Sequence, residues 1–153
     1  MQVREIMTKE LIRLKPEDSA HDALNLLFQK EISGLPVIDE AGKLLGMFTE
    51  KDILKQILPS YVEKVGRFIY TEDPKYIKKK LQDLMAMKVS QLMRKEVVTV
   101  SEETSLVEIA RIMLTQKIRR IPILAADGQV SGIVSRGDIV KALADKYGAR
   151  DTK

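Results

Sequence analysis

Two seven-residue stretches carry residue types that could hold a ligand: Gly46-Met47-Phe48-Thr49-Glu50-Lys51-Asp52 and Gly132-Ile133-Val134-Ser135-Arg136-Gly137-Asp138. Each reads glycine, two apolar residues, a hydroxyl, two residues, aspartate. A hydroxyl followed three residues later by an acid marks a helix N-terminus. Such a terminus presents unpaired backbone N–H groups and the positive end of the helix dipole. A phosphate fits there, bonded also by the hydroxyl of Thr49 or Ser135. One turn on, Asp52 or Asp138 is placed to accept bonds from both hydroxyls of a ribose. The two pairs could therefore hold a ribose phosphate. The same atoms also support a purely structural reading, a capping box, and on spacing alone that reading is the stronger. Ser19-x-x-Asp22 and Ser105-x-x-Glu108 supply the same pattern, so all four predicted helices begin this way.

The two stretches match because the chain repeats itself. A shift of 86 residues places Val3–Lys55 on Val89–Lys141 without a gap. Met7 falls on Met93, Ser19 on Ser105, Pro36 on Pro122, Gly42 on Gly128, Gly46 on Gly132 and Asp52 on Asp138. Glycine, proline and aspartate matching in one register identify two copies of one supersecondary unit. Each copy predicts a short strand, Leu11–Leu14 or Val97–Val100. A helix follows, capped by Ser19 or Ser105, with apolar residues at helical spacing. The runs Leu35-Pro36-Val37-Ile38 and Ile121-Pro122-Ile123-Leu124 read as strands whose proline suits a strand start or edge. Turns at Asp39–Gly42 and Ala126–Gly128 lead into strands Lys43–Phe48 and Gln129–Val134. A last helix runs from Thr49 to about Leu58, or from Ser135 to about Tyr147. The unit is β-α-β-β-α, and its sheet has one apolar face to bury.

The expected boundaries are 1–58 for the first repeat, 59–88 for a helical insert, 89–148 for the second repeat and 149–153 for a tail. In the insert, Tyr61, Val65, Phe68 and Ile69 predict a short amphipathic helix. A second is predicted from Asp73-Pro74 through Leu84 and Met85. Its Lys78-Lys79-Lys80 run, with Lys75 and Tyr76, is a weak nucleic-acid signal, because single-strand binders present several stacking aromatics. A solvated face explains it better.

The remaining composition excludes much. The 153 residues contain no cysteine and one histidine, His21. Disulfides, thiolate metal sites, cysteine nucleophiles and multi-histidine metal sites are therefore ruled out. No nucleophile has a credible base, and His21 reads as an ordinary helical residue. Apolar residues make up 44% and charged residues 31%, a globular balance rather than a disordered one. The net charge of +4 favours anionic partners only weakly. No run approaches a transmembrane length, and the N-terminus lacks an apolar signal core, so a cytoplasmic location is expected.

The repeated unit resembles the CBS domain, named after cystathionine β-synthase, and the pair resembles a stand-alone Bateman module. The resemblance rests on Ile32-Ser33-Gly34-Leu35-Pro36-Val37-Ile38-Asp39, on Ile118-Arg119-Arg120-Ile121-Pro122-Ile123, and on the two Gly-x-x-Thr/Ser-x-x-Asp stretches. It implies an α/β fold of two repeats packed sheet to sheet around a pseudo-twofold axis, with two related clefts between them. It also implies an adenosine ligand: AMP, ADP or ATP, with S-adenosylmethionine less favoured. Thr49 and Asp52, and Ser135 and Asp138, would contact phosphate and ribose. Backbone at Ile32 and Ser33, and at Ile118 and Arg119, would meet the adenine edge. The second repeat adds Arg119, Arg120 and Arg136, where the first has Ser33, Gly34 and Glu50. Arginine offers a forked donor set suited to phosphate, so the Ser135–Asp138 cleft is expected to bind the anionic ligand more tightly.

The expected function is a non-catalytic regulatory module that needs no cofactor, senses an adenosine nucleotide and signals through a homodimer to a separate effector protein. Faces near Ile53, Leu54 and Ile57, and near Ile139, Val140 and Leu143, are expected to form the dimer contact. The alternative is a structural or protein-interaction module without a ligand, in which both hydroxyl–aspartate pairs are capping boxes only.

Overall fold

The computed structural model describes residues 1–58 and 74–148. Helix α1 spans Ala20–Lys30, strands β1 and β2 span Gly34–Ile38 and Leu44–Thr49, and helix α2 spans Glu50–Ile57. Helix α3 covers Pro74–Met85 and the short helix α4 covers Val89–Leu92. The second repeat then gives β3 at Val100–Ser101, α5 at Leu106–Gln116, β4 at Arg120–Leu124, β5 at Val130–Ser135 and α6 at Arg136–Lys146. Strands β1 and β2 pair antiparallel, and the second sheet runs β3-β4-β5. The amphipathic helix expected around Tyr61–Ile69 and the tail 149–153 lie outside the described residues.

The expected first strands are shorter than the sequence suggested. Only Leu14 of Leu11–Leu14 pairs, in parallel with Val37, and β3 keeps two residues. Proline is the cause. Leu14 donates to Pro36 O and accepts from Ile38 N, each at 2.9 Å. One step earlier on that edge the donor would be the N–H of residue 36, which proline lacks. Pro122 stands at the equivalent place in β4. Pro122 therefore lies in the middle strand of its sheet rather than on an edge, and Pro36 lies within β1, whose free side Leu14 meets through a single bridge.

The described residues form two compact units, and these are not the two sequence repeats. One, here the β1–β2 unit, takes Ile12–Glu40 and Leu44–Val97. The other, the β4–β5 unit, takes Met1–Leu11, Ala41–Lys43 and Val98–Lys153. The first residues of each repeat thus pack with the other repeat, and they do so bond for bond. In the β4–β5 unit, Val3 N donates to Thr104 O at 2.9 Å, Arg4 N to Glu102 O at 3.1 Å and Leu106 N to Met1 O at 3.1 Å. In the β1–β2 unit, Val89 N donates to Asp18 O at 2.8 Å, Ser90 N to Pro16 O at 3.2 Å and Ala20 N to Met87 O at 2.8 Å. Arg4 adds ion pairs to Glu102 and Glu103.

Each unit has its own apolar core. Leu14, Leu27, Leu35, Val37, Phe48 and Ile53 bury with Val89 in one. Val100, Met113, Ile121, Ile123, Val134 and Ile139 bury with Val3 in the other. Volumes balance within each unit. Ala20 and Ala23 share their core with Phe48 and with Leu84 of α3, whereas Leu106 and Ile109 share theirs with the smaller Val134. Ile53 and Ile139 are core residues, which corrects their expected place on an outer face. Their neighbours Leu54 and Val140 are 60% and 66% exposed.

The incoming segments also close a sheet edge. Met47 and Arg94 exchange backbone bonds of 2.9 Å in both directions. Thr8 and Ile133 do the same at 3.1 and 3.2 Å. Gly46 and Gly132 permit this approach. A Cβ on residue 46 would lie 2.6 Å from Arg94 O and 2.8 Å from Met93 Sδ. On residue 132 it would lie 2.8 Å from Met7 Sδ and 3.0 Å from Thr8 O. Gly46→Ala should therefore cost about 1–3 kcal/mol of stability, as overpacking does. Gly132→Ala should cost less, since the flexible Met7 can move and the backbone is farther away. Gly137→Ala, whose Cβ would meet only Ser135 Oγ at 3.7 Å, is the control and should be neutral or mildly stabilising. Urea unfolding of the three variants checks the order.

Candidate functional site

In each repeat a strand runs directly into a helix at the hydroxyl residue. Thr49 and Ser135 end β2 and β5 with extended backbone and serve as the N-caps of α2 and α6. Two apolar residues before each cap alternate across the sheet, and Phe48 and Val134 are fully buried. That anchoring places the hydroxyl and the following helical turn at the sheet end.

The two helix starts are closed capping boxes. Asp138 Oδ2 accepts from Ser135 N at 2.8 Å, and Ser135 Oγ accepts from Asp138 N at 3.2 Å. Asp52 Oδ2 accepts from Thr49 N at 2.8 Å and from Thr49 Oγ1 at 3.2 Å. The shared sequence pattern at Ser19 and Ser105 folds differently. Ser19 Oγ accepts from Asp22 N at 3.1 Å and Ser105 Oγ accepts from Glu108 N at 3.2 Å. Their acids do not reach back. Asp22 meets His21 at 3.3 Å, and Glu108 is taken by the Arg111 fork, with Nε at 3.0 Å. Hydrogen bonding to Arg111 holds the Glu108 carboxyl below its ordinary range. The expectation that all four helices begin alike is corrected: only Thr49 and Ser135 head reciprocal boxes with the acid engaged.

A second feature sets these two starts apart. Glu50 N donates to Ser33 O, and Arg136 N donates to Arg119 O, each at 3.0 Å. The first turn of the helix is thereby tied to the residue just before the preceding strand. That residue is aimed by an unusual helix end. Helices α1 and α5 stop at Glu31 and Lys117, both left-handed at φ 55°, a conformation glycine normally takes. Ile32 N and Ile118 N then close back on Leu27 O and Met113 O at 3.1 Å. Ile32, Ser33, Thr49 and Asp52 are thus gathered at one end of the β1–β2 unit. Ile118, Arg119, Arg120, Ser135, Arg136 and Asp138 are gathered at the corresponding end of the β4–β5 unit.

The chemistry at the two ends differs. Arg119 and Arg136 are exposed and Arg120 is half-buried. Arg136 Nε also approaches Ile118 O at 3.4 Å. The second residue of α6 is Gly137, whose N–H has no partner among the described residues and whose missing side chain leaves the backbone open. A shallow depression beside this turn is lined by Ile6, Asp138, Lys141, Ala142 and Asp145. In the first repeat, Lys51 replaces Gly137 and Glu50 replaces Arg136, so an acid stands beside the hydroxyl. Sequence reasoning did not single out Ile6, which the segment exchange carries into the β4–β5 unit. Among the described residues no cluster of acids and histidine could hold a metal ion, and no helix is long and apolar enough to cross a membrane.

Comparison with known proteins gives one answer. The CBS domain profile matches residues 3–59 and again 89–145. The chain is 34% identical over 148 residues to the chloroplastic CBS domain-containing protein CBSX1 of Arabidopsis thaliana, covering 92% of this chain and 63% of that protein. CBSX2 of the same plant is 34% identical over 135 residues, with 84% and 57% covered. The chain therefore spans less than two thirds of these relatives. A crystal structure of CBSX2 in complex with AMP superposes with a TM-score of 0.74 at 32% identity, covering 95% and 98% of the two chains. The CBS domain pair of protein MJ0100, in complex with 5′-methylthioadenosine and S-adenosyl-L-methionine, gives 0.68 at 25% identity, covering 95% and 98%.

The closed boxes make a prediction that needs no ligand. Ser135→Ala should lose about 1 kcal/mol, the usual worth of a serine cap. Asp138→Ala should lose a similar amount, because it leaves Ser135 N unbonded. Asp22→Ala should lose less than about 0.5 kcal/mol, since that exposed acid has only its contact with His21 and its charge near the helix dipole to lose. Denaturant midpoints in nucleotide-free buffer check this.

Proposed function

The chain belongs to the CBS domain family as a tandem pair of repeats, and from that premise we propose that it is a non-catalytic regulatory module that binds an adenosine nucleotide, AMP, ADP or ATP. The observation that carries the reading is the start of α6. There a hydroxyl, an aspartate and an open glycine N–H stand together with arginines at 119, 120 and 136. The phosphate would sit on Gly137 N and Ser135 Oγ, where the helix dipole favours negative charge. Asp138 already uses Oδ2 within its box, which leaves Oδ1 for the ribose hydroxyls. Backbone at Ile118 and Arg119 would meet the adenine edge. In the first repeat Thr49, Asp52, Ile32 and Ser33 have the matching roles, with Glu50 disfavouring a phosphate. The AMP complex of the similar CBSX2 supports this ligand class. The three arginines favour a phosphorylated ligand over S-adenosylmethionine.

Signalling would pass through a homodimer to a separate effector protein. Leu54, Val140, Phe28 and Leu114 are 60%, 66%, 64% and 73% exposed on four different helices. Leu54 and Val140, on the two helices expected to form the dimer contact, are the apolar side chains that would meet a second copy. A nucleotide moves such a dimer between shapes only if the two shapes bind it with different affinity.

Thermal unfolding with AMP, ADP, ATP and S-adenosylmethionine is the test. A ligand at about 100 times its dissociation constant adds roughly 2.7 kcal/mol, which raises the midpoint by several degrees. We expect a shift with a phosphorylated adenosine ligand, and its loss in Asp138→Ala measured against that variant's own ligand-free midpoint. No shift with any of the four at millimolar concentration would replace this reading with a ligand-free structural or protein-interaction module, in which the boxes serve only as caps.

A further inference from the structure

The two units differ at the register position opposite the hydroxyl, and the difference has a steric cause. Gly34 lies opposite Thr49 in the β1–β2 pair, and Arg120 lies opposite Ser135 in the β4–β5 pair. Directly opposed residues of an antiparallel pair share a face. A Cβ on residue 34 would lie 2.7 Å from the Cγ2 methyl of Thr49 and 3.2 Å from Phe48 O. Thr49 does not turn that methyl away at no cost. Its Oγ1 is bonded to Asp52 Oδ2 at 3.2 Å, and a β-branched side chain has few χ1 wells. Residue 34 is thereby held to glycine. Ser135 has no methyl, and the position opposite it carries a full arginine.

We propose that this single methyl, present in Thr49 and absent from Ser135, decides which unit can carry an arginine on the strand opposite the hydroxyl, and that this arginine tips a phosphorylated adenosine ligand to the β4–β5 unit. The inference rests on the nucleotide reading above and adds its selectivity. With Ser135, residue 120 directly opposite the hydroxyl is an arginine, whose guanidinium would supply a forked contact to the phosphate. With Thr49, the same place holds only the hydrogen of Gly34, and Glu50 follows. The β1–β2 unit is left to an uncharged adenosine ligand.

Calorimetric titration with AMP and with adenosine tests this on the full chain and on Arg120→Gly, Ser135→Thr and the double variant. Arg120→Gly should weaken AMP about tenfold or more, the worth of one forked contact, and leave adenosine within about twofold. Ser135→Thr keeps the hydroxyl, yet should weaken AMP comparably because its methyl displaces Arg120. If Ser135→Thr unfolds too readily to titrate, the double variant carries the test, since it has room for the methyl and should match Arg120→Gly. An unchanged ratio of AMP to adenosine affinity in these variants overturns the inference and leaves the nucleotide reading standing. A wild-type chain that binds neither ligand overturns both. The steric half has its own readout in thermal unfolding. Gly34→Ala should lower the midpoint, and adding Thr49→Ser should restore at least half of the loss. Absence of that rescue removes the methyl as the cause.

Discussion

Backbone pairing of Met47 with Arg94, and of Thr8 with Ile133, is the contact on which the architecture turns. An unpaired strand edge is a row of unsatisfied donors and acceptors that invites association. Here each edge is closed by the opening residues of the other repeat. The same residues carry Val3 and Val89 into the cores and bond the loop ahead of α1 or α5. A single repeat would lose an edge partner, a core side chain and a set of backbone bonds together. The repeats therefore stabilise one another through exchanged chain, and two glycines set how closely the exchanged chain approaches.

The candidate site is a consequence of that scaffold. A sheet fixed on both sides gives β2 and β5 defined ends, and a helix starts at each end on a closed box. The bond from Arg136 N to Arg119 O, with its counterpart from Glu50 to Ser33, ties helix start to strand start. Backbone groups for a base, a hydroxyl for a phosphate and a carboxylate for a ribose are thus held together by bonds the protein makes without any ligand. The unequal charge of the two ends is then set by side chains alone, with arginines on one and an acid on the other.

Much of this was legible in the sequence. The 86-residue register, the four helices, the hairpin turns at Gly42 and Gly128 and the hydroxyl–aspartate pairs all stand where the pattern placed them. Two local features were not legible. The left-handed ends of α1 and α5 fall on Glu31 and Lys117, not on glycine, so no residue announces them. The four similar Ser/Thr-x-x-acid motifs divide into two closed boxes and two half boxes. What divides them is where the acid finds its partner: Arg111 captures Glu108, while nothing competes for Asp138 Oδ2 among the described residues.

Sequence by itself determined what depends on near neighbours: helix periodicity, caps, turns, the repeat, and the residue types brought to each helix start. Tertiary structure decided what depends on distant ones. It shortened the first strands, because the bonds that Pro36 and Pro122 cannot donate matter only once a parallel segment lies alongside those strands. It moved the opening residues of each repeat into the other's unit, because buried volume and edge pairing are satisfied in space and leave no periodic trace along the chain. It also made Gly34 obligatory, because the methyl that demands it belongs to Thr49, its partner across the hairpin.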